Sequence, residues 1–215
     1  MLQLRQATPI ANGHLRAVYQ HPGQPDWLVK VMLPEAVERW RSAPWYQRLA
    51  RTGPYRGFVR EFKEFLASRH ASGGPSPLAR VVGLAETDLG PGLVVEKVRR
   101  PDGGLAPTLD AWVRRDGFTP QVQAALDDFL AAMLEHNVIA GDLHAWNVVY
   151  GSDSHGGPRL VMIDGFGEKN TIPHCSMNRR HNAHRTRYKF GKMLARVRAT
   201  PRSAPPEGIP PENLA

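Results

Sequence analysis

The sequence predicts an α+β chain of two lobes: a five-stranded antiparallel sheet with one helix, then a reduced and mainly helical lobe. Three observations lead there. Short apolar runs parted by Gly and Pro crowd residues 1–98. Two helical segments with Thr at their starts follow. A loop rich in polar side chains, Gly141-Asp142-Leu143-His144-Ala145-Trp146-Asn147, then stands between a long amphipathic segment and a strand.

In order along the chain, Leu2 to Gln6, Ala17 to Gln20 and Trp27 to Leu33 are β-like. Residues 34 to 57 hold three prolines and several aromatics without a period, which predicts an irregular connection. A helix is expected from Phe58 to Arg69, and strands from Ala79 to Glu86 and from Gly92 to Val98, with a turn at Glu86-Thr87-Asp88-Leu89-Gly90-Pro91. Ser72 to Pro77 reads as a loop. Thr108 can cap a short helix that stops at Gly117, and Thr119 a longer one with Pro120 at its first position. In the longer helix Val122, Leu126, Phe129, Leu130, Met133 and Leu134 share one side. Asn147 to Tyr150 and Leu160 to Ile163 read as two strands joined by a Gly-rich turn, and His181 to Arg198 as the last helix. Residues 1–98 then form the first lobe, 99–199 the second, and the proline-rich 200–215 a disordered tail.

The chain has 215 residues, 41% of them hydrophobic, enough for a core. No apolar run approaches the roughly 18 to 20 residues of a membrane span, and Met1 to Asn12 lacks the pattern of a secretory signal. The single cysteine, Cys175, has no partner for an internal disulfide, and it reads as an ordinary thiol. These features point to the cytoplasm. A formal net charge of +8 favours polyanionic partners.

Asp142 and Asn147 lie five residues apart, and Asp164 follows 17 residues after Asn147 (164 − 147) in Val161-Met162-Ile163-Asp164-Gly165-Phe166-Gly167. Phosphoryl transfer uses such groups. A carboxylate orients an acceptor hydroxyl and takes its proton, an amide oxygen can hold a metal ion, and a second carboxylate can bind Mg²⁺ together with phosphate oxygens.

At these residues the chain resembles known proteins. Gly141-Asp142-Leu143-His144-x-x-Asn147 is similar to the catalytic loop of kinase-like small-molecule phosphotransferases, and protein kinases carry a related His-Arg-Asp-x-x-x-x-Asn form. Asp164 matches the metal-binding Asp of the kinase Asp-Phe-Gly motif. Over residues 1 to 198 the chain resembles the YrbL family, the PhoP-regulatory-network proteins of bacteria, with a minimal protein-kinase-like fold. Two departures are plain: Ala140 replaces the usual histidine and Gly141 the protein-kinase arginine. Only about 35 residues separate Asp164 from the tail, so the helical subdomain on which kinases bind their acceptor is missing.

The resemblance implies the remaining roles. Lys30, 17 residues after Gly13 (30 − 13), is the strand lysine on the α- and β-phosphates of ATP. Its partner is a glutamate of the next helix, Glu61 or Glu64. At about 100° per residue, Phe58, Val59, Phe62, Phe65 and Leu66 cluster on one face, Glu61 flanks it and Glu64 points away. That angle selects Glu61 and leaves Glu64 to solvent. Gly13 and Val18 match a glycine-rich phosphate loop in which Ala11 and Arg16 replace the other glycines, and Arg16 adds a charge. Glu96-Lys97-Val98 corresponds to the hinge beside adenine. The implied set is therefore Asp142, Lys30 and Glu61 for catalysis, Gly13, Val18, Lys30, Glu96, Val98, Asn147 and Asp164 for ATP, and Asn147 with Asp164 for Mg²⁺.

The basic run from Arg179 to Arg198 is either a solvated helix face or a patch for an anionic partner, nucleic acid or lipid. His174, Cys175, His181 and His184 lack the spacing of a zinc site. Three functions follow: an ATP-dependent phosphotransferase with an unidentified hydroxyl or protein acceptor, a nucleotide-binding regulatory pseudokinase, and a basic binding module. ATP turnover with Mg²⁺ separates the first two, and steep salt dependence of binding marks the third.

Overall fold

In the computed structural model, residues 1–13, 15–48, 51–69, 74–169 and 173–202 are described. Trp27-Leu28-Val29-Lys30-Val31-Met32 is apolar at nearly every position, and such a strand needs cover on both faces. The first half provides it. Strands β1 (Ala11–Asn12), β2 (Arg16–Gln20), β3 (Trp27–Met32), β4 (Val81–Thr87) and β5 (Gly90–Glu96) form one sheet in the order β1-β2-β3-β5-β4. Every pairing in it is antiparallel.

Side chains alternate between the two faces of β3. Leu28 and Met32 join Phe58, Phe65, Leu93 and Val95 under a helix. Val29 and Val31 join Leu4, Ala17, Tyr19 and Val94 on the other side. Lys30 shares parity with Leu28 and Met32, so it stands on the helix side of the sheet. That helix is the fourth helical element of the chain. Before it come α1 (Pro34–Arg41), α2 (Trp45–Arg48) and a short 3₁₀ turn at Gly53–Tyr55; α3 itself spans Arg56–Ser68.

Two expectations are corrected here. Leu2 to Gln6 is not a strand: Leu2 makes one isolated bridge to Thr87. A carboxylate replaces the ladder, since the N–H groups of Leu4 and Arg5 donate to Asp88 at 2.7 and 3.1 Å. The turn closed by Ala7 N–H on the Leu4 carbonyl ends the segment, and the fifth strand is Ala11–Asn12. Residues 34 to 57 are largely helical, not irregular. Pro34 opens α1, where a missing N–H costs nothing, and Glu35 with Arg39 and Arg41 complement the helix dipole. Only Ala36 of α1 is buried, so no apolar period announces it.

The second half follows its caps. The Thr108 hydroxyl accepts from Ala111 N–H at 3.1 Å to start α4 (Leu109–Asp116), and that of Thr119 from Val122 N–H at 3.3 Å to start α5 (Pro120–Glu135). A hairpin of β6 (Val148–Asp153) and β7 (Gly156–Met162), then α6 (His174–Met177) and α7 (Arg179–Arg198), complete the described chain. Both hairpin strands run longer than expected. The core beneath them includes Leu109, Val113, Val122, Leu126, Met133, Met162 and Met193. The expected tail lies outside the described residues from 203 onward.

The halves meet along a seam of backbone and apolar contacts. Ala79 N–H donates to the Met162 carbonyl at 2.9 Å, and Ala79, Val98, Ala106, Val149 and Val161 form one apolar cluster. Within the second half α5 ends at Glu135, and Asn137 just beyond it, with a φ of 50°, turns the chain back. The Asn182 amide of α7 donates at 3.1 Å to the Asn137 and Val138 carbonyls. This side chain is 3% exposed, so its loss strands buried acceptors. Asn182→Ala is expected to lower unfolding stability by about 1–3 kcal/mol, read as a lower urea midpoint at constant slope. An unchanged midpoint would show that α7 does not depend on this clamp.

Candidate functional site at the junction of the two halves

Strand parity aims Lys30 at α3, and α3 meets it with Glu61. Lys30 Nζ lies 3.0 Å from Glu61 Oε2 and donates at 2.6 Å to the Ile163 carbonyl, one residue before Asp164. Lys30 and Glu61 are 5% and 2% exposed, so water screens the pair little. A second cation completes it. Arg16, at the start of β2, pairs with Glu61 Oε1 and reaches Asp164 Oδ1 at 3.5 Å. Its guanidinium lies over the Phe58 ring at 5.0 Å, and a Cβ on Gly57 would collide with it. Gly57 is therefore the gap through which Arg16 crosses α3. The sequence singled Arg16 out only as an added charge, and nothing in its local pattern marks a buried double ion pair.

These charges set the electrostatics. Burial works against the charge of Arg16, but Glu61 and Asp164 outweigh it and raise its pKa. Burial likewise opposes ionisation of Asp164, yet Lys30 and Arg16 prevail and hold the carboxyl below its ordinary range. Asp164 thus stays an anion, with its side chain 42% exposed.

The loop after α5 is knitted to the Asp164 segment by backbone. Asp142 N–H donates to the Gly165 carbonyl at 2.6 Å and Gly167 N–H to the Ile139 carbonyl at 2.8 Å. Approach this close excludes side chains. A Cβ on Gly141 would meet the Gly167 carbonyl at 2.7 Å, and one on Gly165, whose φ is +79°, would meet the Asp142 carbonyl at 2.7 Å. Asn147 Nδ2 donates to the Asp142 carbonyl at 3.0 Å and sits against Gly165, so its amide oxygen is the atom that could hold a metal ion. The Asp142 carboxylate is 45% exposed, with His144 Nε2 at 3.0 Å and Lys169 Nζ at 3.7 Å.

Lys30, Glu61, Asp142, Asn147 and Asp164, from four separate segments, are thereby brought to one place. Among the described residues no three His, Cys, Asp or Glu side chains gather as a metal cage. One ionised carboxylate and one amide oxygen do suit Mg²⁺, which takes few protein oxygens and fills its shell with water and phosphate.

The other anticipated residues sit around this centre. Gly13 is exposed, and its N–H closes the β1–β2 hairpin on the Arg16 carbonyl at 2.8 Å; His14 is outside the described residues. Val18 pairs with Lys30 across β2 and β3 and packs on the helix-side cluster. Glu96 ends β5, where its carboxylate accepts from Ser154 N–H at 2.6 Å and hydroxyl at 2.8 Å. Val98 is buried, with its carbonyl taken by Ala106 N–H at 3.0 Å.

One reading of α3 is overturned. Glu64 is not solvated: it is 6% exposed and accepts from Ile139 N–H at 2.8 Å, beside the loop that carries Asp142. Phe62 and Leu66, expected inside, are 39% and 48% exposed. The helix is covered by the sheet on one side and by the second half on the other, so its buried arc holds polar Glu61, Glu64 and Ser68. An apolar stripe alone does not reveal such an arc. Cys175 is buried, and burial raises its thiol pKa, which disfavours the nucleophilic thiolate.

A model of the family described as PhoP regulatory network protein YrbL matches residues 2–198 of this chain. No curated protein matches it.

Burial pushes Glu64 up to about 7 from an ordinary 4.5, against the opposing Ile139 hydrogen bond. The folded chain then holds this proton more tightly than the unfolded one, so stability declines as pH rises from 4.5 through 7. Glu64→Gln keeps an acceptor for Ile139 and cannot ionise. It is expected to exceed the unmodified chain in stability above pH 7 by about 1–3 kcal/mol. The difference should close toward acid, whereas Glu64→Ala, which orphans the Ile139 N–H, should be less stable at pH 5. Denaturation curves across pH check this, and a pH-independent gap would contradict it.

Proposed function

The chain belongs to the YrbL family of PhoP regulatory network proteins, and from that premise we propose that it is an ATP- and Mg²⁺-dependent phosphotransferase of kinase-like fold. One observation carries the reading. The buried Lys30–Glu61 pair stands against the strand end that bears Asp164. The backbone beyond that strand end is hydrogen-bonded to Asp142.

In this reading Lys30 is held extended by Glu61 and the Ile163 carbonyl, so that its charge is already aimed at the α- and β-phosphates before nucleotide arrives. Fixed charge of this kind needs no reorganisation during reaction. Arg16 replaces backbone wrapping by a glycine-rich loop with a guanidinium, which can fork onto phosphate oxygens. The Val98 carbonyl is engaged by Ala106, so the adenine contact of this segment falls to the Val98 N–H, beside Glu96. Asp164 and the Asn147 oxygen would hold Mg²⁺, which when bound neutralises charge on the phosphate oxygens. Asp142 orients the acceptor hydroxyl and accepts its proton. Its Oδ1 is engaged by His144, so Oδ2 is the basic atom.

ATP with Mg²⁺ is expected to raise the melting temperature, and either alone to do less, because ligand bound to the native state stabilises it by mass action. No shift at millimolar nucleotide would count against the reading. Two variants should then fail differently. Asp142→Asn should bind ATP–Mg²⁺ almost normally in calorimetry and lose roughly 10²–10⁴ in turnover. Asp164→Asn should lose metal-dependent binding as well as turnover. Full turnover in Asp142→Asn, or normal binding in Asp164→Asn, would remove that residue from its role.

A further inference from the structure

The acceptor side of Asp142 is built by α7, and α7 holds no acidic residue: its sequence is RRHNAHRTRYKFGKMLARVR. Four of its cations, Arg185, Lys189, Lys192 and Arg196, are spaced by four, three and four residues. At roughly 100° per residue they fall within about 60° of arc, in a line about 16 Å long. Two contacts orient that line. Lys189 Nζ donates to the Ala140 carbonyl and lies 3.3 Å from the Gly141 carbonyl. Arg196 Nη1 lies 3.3 Å from His144 Nδ1. The stripe therefore runs along the loop that presents Asp142.

The Arg196 contact also sets a tautomer. A guanidinium only donates, so in this contact His144 Nδ1 accepts, and the ring proton falls to Nε2, which lies 3.0 Å from Asp142 Oδ1. Arg196 thus reaches Asp142 through His144 as a positioning residue. Lys169 closes the opposite flank, 3.7 Å from Asp142 Oδ2. The cations crowd one another: burial lowers the pKa of Lys189, and Arg185 and Lys169 lower it further. Arg185, Lys192 and Arg196 are exposed. The Glu168 carboxylate, from the same region, is turned to the N–H groups of Cys175 and Ser176 at 3.0 and 3.3 Å. Asp142 is accordingly bordered by cations with few carboxylates among them.

We propose that the acceptor of this site is a small anionic alcohol, a hydroxyl compound carrying a phosphate group, whose hydroxyl meets Asp142 while its phosphate rests on the α7 stripe and Lys169. The inference rests on the phosphotransferase reading and adds the class of acceptor to it. Charge complementarity makes the selection. A neutral alcohol would leave the mutual repulsion of four cations without a counter-charge, whereas a phosphate supplies that charge and offers several acceptor oxygens to Lys and Arg donors. In the reaction, the hydroxyl oxygen of the anionic alcohol bonds to the γ-phosphorus of ATP. The bond from that phosphorus to the β-bridging oxygen breaks, the pair of electrons leaves on ADP, and the hydroxyl proton passes to Asp142 Oδ2.

The test uses the full chain with glycerol 3-phosphate as probe and glycerol as control, at ionic strength fixed with KCl. The His144 ring resonances, assigned with His144→Gln, report on the site. Glycerol 3-phosphate is expected to shift them saturably in the millimolar range, and glycerol to leave them in place. In the double variant Arg185→Gln/Lys192→Gln, which removes two exposed charges and none of the loop contacts, the midpoint should weaken by about five- to tenfold. No shift, an equal shift with glycerol, or an unchanged midpoint in the double variant would overturn the proposal. So would a single-stranded oligonucleotide that moves these resonances at micromolar concentration while glycerol 3-phosphate does not, which would make α7 a nucleic-acid surface. The thermal shift of the unmodified chain with ATP–Mg²⁺ judges the underlying reading separately. A shift there with no His144 response removes only the acceptor class.

Discussion

The Glu61 carboxylate, buried between Lys30 and Arg16, is the interaction on which the arrangement depends. A carboxylate so far from water is costly unless fully paired, and removing one partner of such a pair typically costs about 3–5 kcal/mol. Here one anion fixes three things. It holds the β3 lysine extended, draws β2 onto α3 through Arg16, and sets α3 against the end of the strand that bears Asp164, because Lys30 also donates to the Ile163 carbonyl. Gly57 and Phe58 accommodate the crossing, one by its missing Cβ and the other by its ring face.

The same helix faces the second half through Glu64, one turn further on. Its bond to Ile139 N–H fixes the chain just before the Asp142 loop. That loop and the Asp164 segment approach so closely that glycines at 141 and 165 are steric requirements. Two carboxylates of α3, one salt-bridged and the other hydrogen-bonded to backbone, thus place residues more than a hundred positions apart in sequence. α7 closes the assembly from the far side, where Asn182 holds the end of α5, Lys189 the loop carbonyls and Arg196 the His144 ring.

What the sequence made legible were features whose cause is local. Thr108 and Thr119 announce their helices because a hydroxyl before an apolar period satisfies orphan N–H groups. β3 is legible because a run of six residues, apolar at all but Lys30, needs cover on both faces. Lys30, Asp142, Asn147 and Asp164 stand out as polar groups set in or beside apolar segments. What escaped was decided by neighbours distant in the chain. Leu2 to Gln6 has strand composition, but Asp88 takes its N–H groups before a ladder can. Glu64 points away from the apolar stripe of α3, and only the presence of the second half makes that direction buried. Phe62 and Leu66 complete the stripe in the sequence, yet both are exposed in the fold. The pairing of Arg16 with both Glu61 and Asp164 joins three segments that no period connects.

The central claim is that these groups, gathered by Glu61, transfer the γ-phosphoryl of ATP. Incubation of the chain with γ-labelled ATP and Mg²⁺, alone and with a cell extract, measures it most directly. The account predicts Mg²⁺-dependent release or transfer of label that falls by orders of magnitude in Asp142→Asn. Label that stays in ATP under all these conditions, or transfer that survives unchanged in Asp142→Asn, would contradict it.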